Sequence, residues 1–208
     1  YLAAVDENGK LAKYKNGYYE FPLAELQKFE SARQRRKMEK KDDYEAPNLH
    51  VRDIVVDANG GVFITCEEYY VIVNTYYTTN GGTRTTYNYY YQDIIAAKIN
   101  PAGDFDWVRK IPKRQRGTSG RGTMSFKLIA DASGYYFLYL DNLKNLDIAE
   151  DEEPKYHVDG MGGQVIVSKI DMSGVLSKEL LFDVRKEDIR IYPADFDKIN
   201  NNQFIGRA

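Results

Sequence analysis

The sequence is short of the residues that most enzymes and metal proteins use. Its 208 residues include a single cysteine, two histidines and one tryptophan. Cys66 alone can form neither an internal disulfide nor a multi-cysteine metal site. It lies in VFITCEEYY, an apolar strand-like run, and is expected to be a buried small hydrophobe. His50 and His157 leave little imidazole for catalysis. No catalytic triad, zinc set or nucleotide fingerprint is present, so no catalytic residue, metal ligand or cofactor is assigned, and the chain is expected not to be an enzyme. One-sided charge is missing too: the net charge of -2 gives no general pull toward nucleic acid or anionic lipid, and no nucleic-acid partner is expected. Nor does any stretch approach the roughly 18 to 20 apolar residues that a membrane span needs. The chain opens on Tyr1 in a strand-like segment with no charged start before an apolar run, so it is expected to be a mature or internal piece whose targeting signal lies outside it.

What is abundant points to strands. The 18 tyrosines, together with many Thr, Val and Ile, pack well on a pleated surface, and the expected fold class is all-β. A turn pattern recurs at Val5-Asp6-Glu7-Asn8-Gly9, Ile99-Asn100-Pro101-Ala102-Gly103 and Ile170-Asp171-Met172-Ser173-Gly174. Each has an apolar strand, an Asp or Asn able to bond the turn backbone, and Gly where positive φ is needed. A second kind, Asp57 to Gly60 and Asp131 to Gly134, alternates with the first, and a weaker copy spans Ile199 to Gln203.

Gly103 and Gly174 are 71 residues apart, and Gly60 and Gly134 are 74 apart, which reads as a repeated supersecondary unit. Naming the strands A to D gives one four-stranded antiparallel meander over 49–112 and another over 125–184. Strands C and D of an incomplete unit fall in 1–17, and strands A and B of another in 185–208. Between them lie an insertion with a short helix, 18–48, and a basic Gly-rich connection, 113–124. Four antiparallel strands per unit is the make-up of a β-propeller blade. Trp107 aligns with Lys13 and Lys178, so no aromatic signature is uniform.

The strand-Asp/Asn-x-x-Gly-apolar-x-Trp pattern, fullest in KINPAGDFDWVRKI, resembles the blades of bacterial cell-envelope propeller proteins of Bacteroidota type. The resemblance implies an extracytoplasmic, non-catalytic scaffold, in the periplasm, at the outer membrane or on the cell surface, and transfers no catalytic residue. Joining the last A and B to the first C and D would give three blades, too few for a typical closed propeller. Further chain or another subunit is therefore expected to cover the open edges.

The A–B and C–D turns are short, and every long segment falls at the opposite end of the sheets. In 18–48, Pro22 suits a first helical turn, and Leu23, Leu26, Phe29 and Ala32 recur near helical spacing, so an amphipathic helix is expected to start there and run into a basic stretch diluted by acids. The B–C hairpin turns at Asn80-Gly81-Gly82, a strong type I′ signal, and carries Tyr76, Tyr77, Arg84 and Tyr87 on strands of about 17 residues that would reach roughly 50 Å, more than a blade needs. KRQRGTSGRGTM carries Arg114, Arg116 and Arg121 but lacks Gly-Lys-Ser/Thr and precedes a strand, which excludes a phosphate loop. The 141–163 connection is acidic and holds His157 and Asp159; its spacing does not fit an EF-hand. An ion pair between these basic and acidic connections is their simplest expected role.

Tyr76, Tyr77, Arg84, Tyr87, Arg114, Arg116, Arg121, His157 and Asp159 are the candidate partner-binding residues. Loops on a rigid scaffold are where function is usually placed, so the expected function is protein–protein interaction in a cell-envelope complex. A carbohydrate-binding or carbohydrate-cleaving propeller is the alternative, because tyrosines can stack on sugars and carboxylates can serve as acid and base. A structural spacer is the third reading.

Overall fold

In the computed structural model, residues 2–13, 18–41, 44–158, 163–200 and 203–206 are described. They are mostly strand, and antiparallel pairing dominates. The N-terminal hairpin joins β1 (Ala3–Val5) to β2 (Leu11–Lys13). The first large sheet follows the meander β3 (Leu49–Val56), β4 (Val62–Tyr77), β5 (Thr83–Ile99) and β6 (Phe105–Ile111). Past the end of β6, β7 (Gln115–Gly117) takes the same edge of β5 and in turn pairs in parallel with β10 (His157–Val158). The second sheet is the meander β8 (Phe126–Asp131), β9 (Gly134–Asp141), β11 (Gln164–Asp171) and β12 (Leu176–Asp183). A last hairpin pairs β13 (Asp197–Asn200) with β14 (Gln203–Ile205). Among the described residues the sheets do not close into a barrel.

The turns explain why the sequence echoes itself. At Gly9, Gly60, Gly81, Gly103 and Gly174, φ lies between 75 and 87°, a region an L side chain adopts only under strain. In each, the glycine N–H donates to the residue three before it, as in Gly103 to Asn100 at 2.9 Å, making a type I turn closed by a left-handed glycine. The leading side chain then accepts from the amide four residues on: Asp6 from Lys10, Asp57 from Gly61, Asn100 from Asp104 and Asp171 from Val175. Asn80-Gly81 follows this pattern with Thr78 in the leading place, so the ribbon turn is not type I′: only its glycine has positive φ. Asp131 to Gly134 differs from its expected twin, because Asp131 pairs directly with Gly134 across a two-residue loop. A Cβ on Gly134 would collide with the Ile170 carbonyl, so glycine there serves close approach between β9 and β11.

The two large sheets pack face to face and share one core that includes Phe63, Ile94 and Trp107 from the first and Tyr135, Phe137 and Ile170 from the second. Phe63 and Tyr135 stack with centroids 3.5 Å apart. The stacking has a sense. Ile64 opposes Ala97 two steps from the turn of the first sheet, and Phe137 opposes Ser168 at the same place in the second. Ile64 and Ala97 look away from the second sheet, toward the helical insertion, whereas Phe137 looks at the first. The same face of each repeat therefore points the same way along the stack.

A bulge at Asp106 breaks the alignment read from sequence. Lys98 opposes Trp107 while Lys169 opposes Ser177, so Trp107 corresponds to Ser177 rather than to Lys178. One extra residue reverses the parity of the strand and turns the indole toward the second sheet. There Trp107 packs on Gly174, where a Cβ would lie 2.6 Å from the ring, and donates to the Met172 carbonyl at 3.3 Å.

The insertion covers the other face of the first sheet, but as two helices rather than one, α1 (Leu23–Leu26) and α2 (Ala32–Glu39). Phe29 breaks the run with φ 61° and donates its N–H to the Glu150 carbonyl, and Ser31 caps α2 by accepting from Gln34 N. Leu26 and Met38 pack with Cys66, Ile95 and Val108, and burial pushes the Cys66 thiol up to about 11. The outer face of the second sheet is covered by Val184, Ile191 and Phe196.

Candidate functional site

All the long connections meet at one end of the stacked sheets. β7 from the basic connection and β10 from the acidic one zip together beside β5, with His157 N donating to Arg114 O at 2.8 Å. Arg114 reaches Glu153 at 3.7 Å and the Pro154 carbonyl at 3.4 Å, and its guanidinium lies 4.4 Å from the Tyr156 ring centroid. The helical insertion joins them: besides the Phe29 to Glu150 bond, Lys28 pairs with Glu150 at 2.8 Å. The ion pair expected between the basic and acidic connections is present at Arg114.

Beneath this end lies a buried polar seam between the sheets. Lys113 and Glu67, both fully buried, pair at 2.8 Å. The remaining oxygen of Glu67 accepts from Arg52 and from Ser125 Oγ, each at 2.8 Å, while Lys113 Nζ also donates to the Tyr91 carbonyl and Gln115. Burial holds the Lys113 ammonium below its usual range, against the pull of Glu67. Arg52 stands at a bulge between Val51 and Asp53, which aims it at Glu67. No pattern of period two marks this seam in the sequence, although a Lys, a Gln and a Glu within strand-like segments are the signal that it left.

Above the seam the tyrosine hairpin continues alone. β3 stops beside Glu68 and β7 covers β5 only as far as Tyr89, so the ribbon beyond them consists of two strands. Tyr70 stacks on Tyr90 at its root, at 4.7 Å and 11°. Val71, Val73, Thr75 and Tyr77 oppose Tyr89, Tyr87, Thr85 and Thr83, which makes one face of the ribbon free of charge. Its other face opposes Tyr70, Ile72, Asn74 and Tyr76 to Tyr90, Asn88, Thr86 and Arg84. Tyr77 is 88% exposed, and Val73, Tyr76 and Tyr87 are exposed as well.

The residues singled out from sequence therefore divide. Tyr76, Tyr77, Arg84 and Tyr87 sit together on the projecting ribbon. Arg116 is exposed at its root and donates to Asn88 at 3.0 Å, and Arg121 is exposed in the following turn. Arg114 is half-buried and committed to internal contacts. His157 is buried, packed so closely on Gly163 that a Cβ there would meet its ring, which places it in the interior rather than on a binding surface. Asp159 lies outside the described residues.

A second feature of this end escaped the sequence altogether. Between the helical insertion and the first sheet lies a cleft of about 320 Å³, lined by Phe29, Glu30, Tyr44, Glu68, Tyr70 and Asp93 among others. Burial pushes the Glu68 carboxyl up to about 7, with Asp93 and Glu30 adding to the shift and Lys110 and Arg114 opposing it. Among the described residues no group of three or more His, Cys, Asp or Glu side chains is placed to hold a metal, and no helix is long and apolar enough to cross a membrane. Comparison of the chain with protein-family models, with curated proteins and with solved structures finds no match.

Proposed function

We propose that this chain is a stack of propeller-like blades from an extracytoplasmic, cell-envelope scaffold, and that it binds a protein partner through the tyrosine ribbon. The observation that carries the reading is the uncharged ribbon face of Val73, Thr75, Tyr77 and Tyr87, exposed at the end where every long connection gathers. An extended two-stranded ribbon standing clear of its sheet spends backbone order without burying apolar surface, and tyrosine gives a large contact area at low side-chain entropy cost. Like-sense stacking of the two meanders supports the blade reading, because repeats stack that way in propellers and solenoids. Placing a photocrosslinking residue at Tyr77 and irradiating cells that make the protein should trap one dominant protein partner. Replacing Tyr76, Tyr77 and Tyr87 by Ser in the same experiment should abolish the adduct formed from a crosslinker at Thr85. Adducts that persist in that variant would end the reading.

Tyr87 and Tyr89, with ring centroids 6.5 Å apart and 25° between planes, favour a glycan as the second reading. Retention on polysaccharide columns, lost in Tyr87→Ser, would replace the protein partner with a sugar.

A further inference from the structure

The cleft beside Glu68 has a charge imbalance that its own walls do not resolve. Lys110 is fully engaged, donating to the Leu26 carbonyl at 2.9 Å and pairing with Glu30 at 2.7 Å and Asp93 at 3.0 Å. Arg114 is committed to Glu153, Pro154 and Tyr156. Glu68 is different: among the described residues its carboxylate has neither a hydrogen bond nor an ion pair. Its position is not incidental to the strand, because Glu67 opposes Ile94 and Tyr69 opposes Tyr91, leaving Glu68 at a bulge across from Gln92 and Asp93. Ile64 and Cys66 pack toward the insertion, so strand alternation turns Glu68 to the same side, into a cleft that Phe29, Tyr44 and Tyr70 also line.

We propose that the cleft binds an organic cation, an alkylammonium or alkylguanidinium group, with Glu68 as counter-charge and the rings of Phe29, Tyr44 and Tyr70 as walls. The missing charge is positive because both cations of the lining are already paired and the group left over is an acid. Aromatic faces attract such cations, and the volume suits a short alkyl chain with a charged head. An anion would meet Glu68, Glu30 and Asp93 with no free cation to receive it.

Binding is linked to a proton. Glu68 faces Glu30 and Tyr44 from the insertion, Asp93 from β5, Lys110 from β6, and Arg114 from the basic connection. With its carboxyl titrating at about 7, the unliganded cleft is largely neutral at pH 6 and charged at pH 8, so a cation binds about tenfold more tightly at pH 8.

The test is calorimetric titration of the intact chain with n-butylammonium, n-butylguanidinium and butyrate, together with lysine and arginine capped at both ends. Saturable binding of the cations at pH 8, about tenfold weaker at pH 6 and at least about tenfold weaker in Glu68→Gln, is the expected result. Tyr70→Leu should weaken it about threefold, in line with one lost cation–π contact. Binding of the capped amino acids as well would identify a basic side chain presented by a polypeptide, and binding of the simple amines alone a free amine. No saturable binding of any cation up to about 50 mM, equal affinity in Glu68→Gln, or butyrate binding as well as butylammonium, would each overturn the proposal.

Discussion

The first and second sheets are built to one plan and finished differently. Both are meanders of A, B, C and D strands whose C–D turn glycines, Gly103 and Gly174, occupy matching places, and in both the same face points the same way. In the second sheet the B and C strands are eight residues each and end together at the Gln164–Asp141 pair. In the first they are 16 and 17 residues and run on past their neighbours into the ribbon. The faces and strand order that stacking needs are common to both sheets; the long extensions gather at the end opposite the short turns.

The largest effect is expected at the seam the two sheets share. Lys113→Ala would leave Glu67 buried with Arg52 as its remaining cation, and losing one partner of a buried pair typically costs about 3 to 5 kcal/mol. Denaturant unfolding should show a loss of that size. A loss under about 1 kcal/mol would mean that the sheets are not held through the seam.

Next in size is the contact that the Asp106 bulge creates. Gly174→Ala must both strain a φ of 86° and push against Trp107, whereas Gly9→Ala meets nothing within 4 Å and strains φ alone. Gly9→Ala should cost about 1 kcal/mol and Gly174→Ala about 1 to 3 kcal/mol more. Trp107→Ala, at about 3 to 5 kcal/mol by itself, should erase most of the difference between the two glycines. If the difference survives without the indole, the turn of the second sheet does not rest on the first in the way described.

Much of this scaffold was legible in the sequence, for a local reason. Asp/Asn-x-x-Gly is read by its own backbone, so the turns at Gly9, Gly60, Gly103 and Gly174 fix where strands begin and end without knowledge of the partners. The helix expected after Pro22 failed at Phe29, because the Phe29 N–H bond to Glu150 is a contact more than 100 residues away and outweighs helical spacing. Trp107 was placed one register off because a bulge is a property of two strands and leaves no mark in one of them. The Glu68 cleft was illegible for both reasons together: it needs a bulge on the facing strand, β5, and an insertion folded over it, whereas EEYY reads simply as part of an amphipathic strand. Of the candidate partner residues, those on the ribbon were recoverable since Asn-Gly and alternating Tyr are local signals. His157 was not, because its burial depends on β7 pairing with β10.

A smaller effect separates the cleft from the core. The Glu68 carboxyl lies above its ordinary 4.5 in the folded chain, so between about pH 4.5 and 7 the native state holds more protons than the unfolded one. Stability then falls as pH rises through that window. Asp141 adds to the slope, since burial pushes its carboxyl from 3.8 up to about 7 against the bonds from Asn145 and Asn142. Glu68→Gln should match the parent near pH 4 and exceed it by about 1 to 2 kcal/mol at pH 8, leaving the Asp141 part of the slope intact. A variant less stable than the parent at pH 8 would mean that Glu68 has a stabilising partner.

The ribbon should give the smallest stability effect, and that smallness is informative. Tyr77 and Tyr87 touch little of the scaffold, and Thr75 and Thr85 hold the strands together through hydroxyls 3.1 Å apart. Replacing both tyrosines by Ser should therefore change unfolding free energy by no more than about 0.5 kcal/mol, as for surface positions in general. Tyr70→Ser, which removes a stacked ring at the ribbon root, should cost more, about 1 kcal/mol. If Tyr77→Ser and Tyr87→Ser proved as costly as Tyr70→Ser, the ribbon tip would be folded against the scaffold, and its tyrosines would be structural in the same sense as the rings at its base.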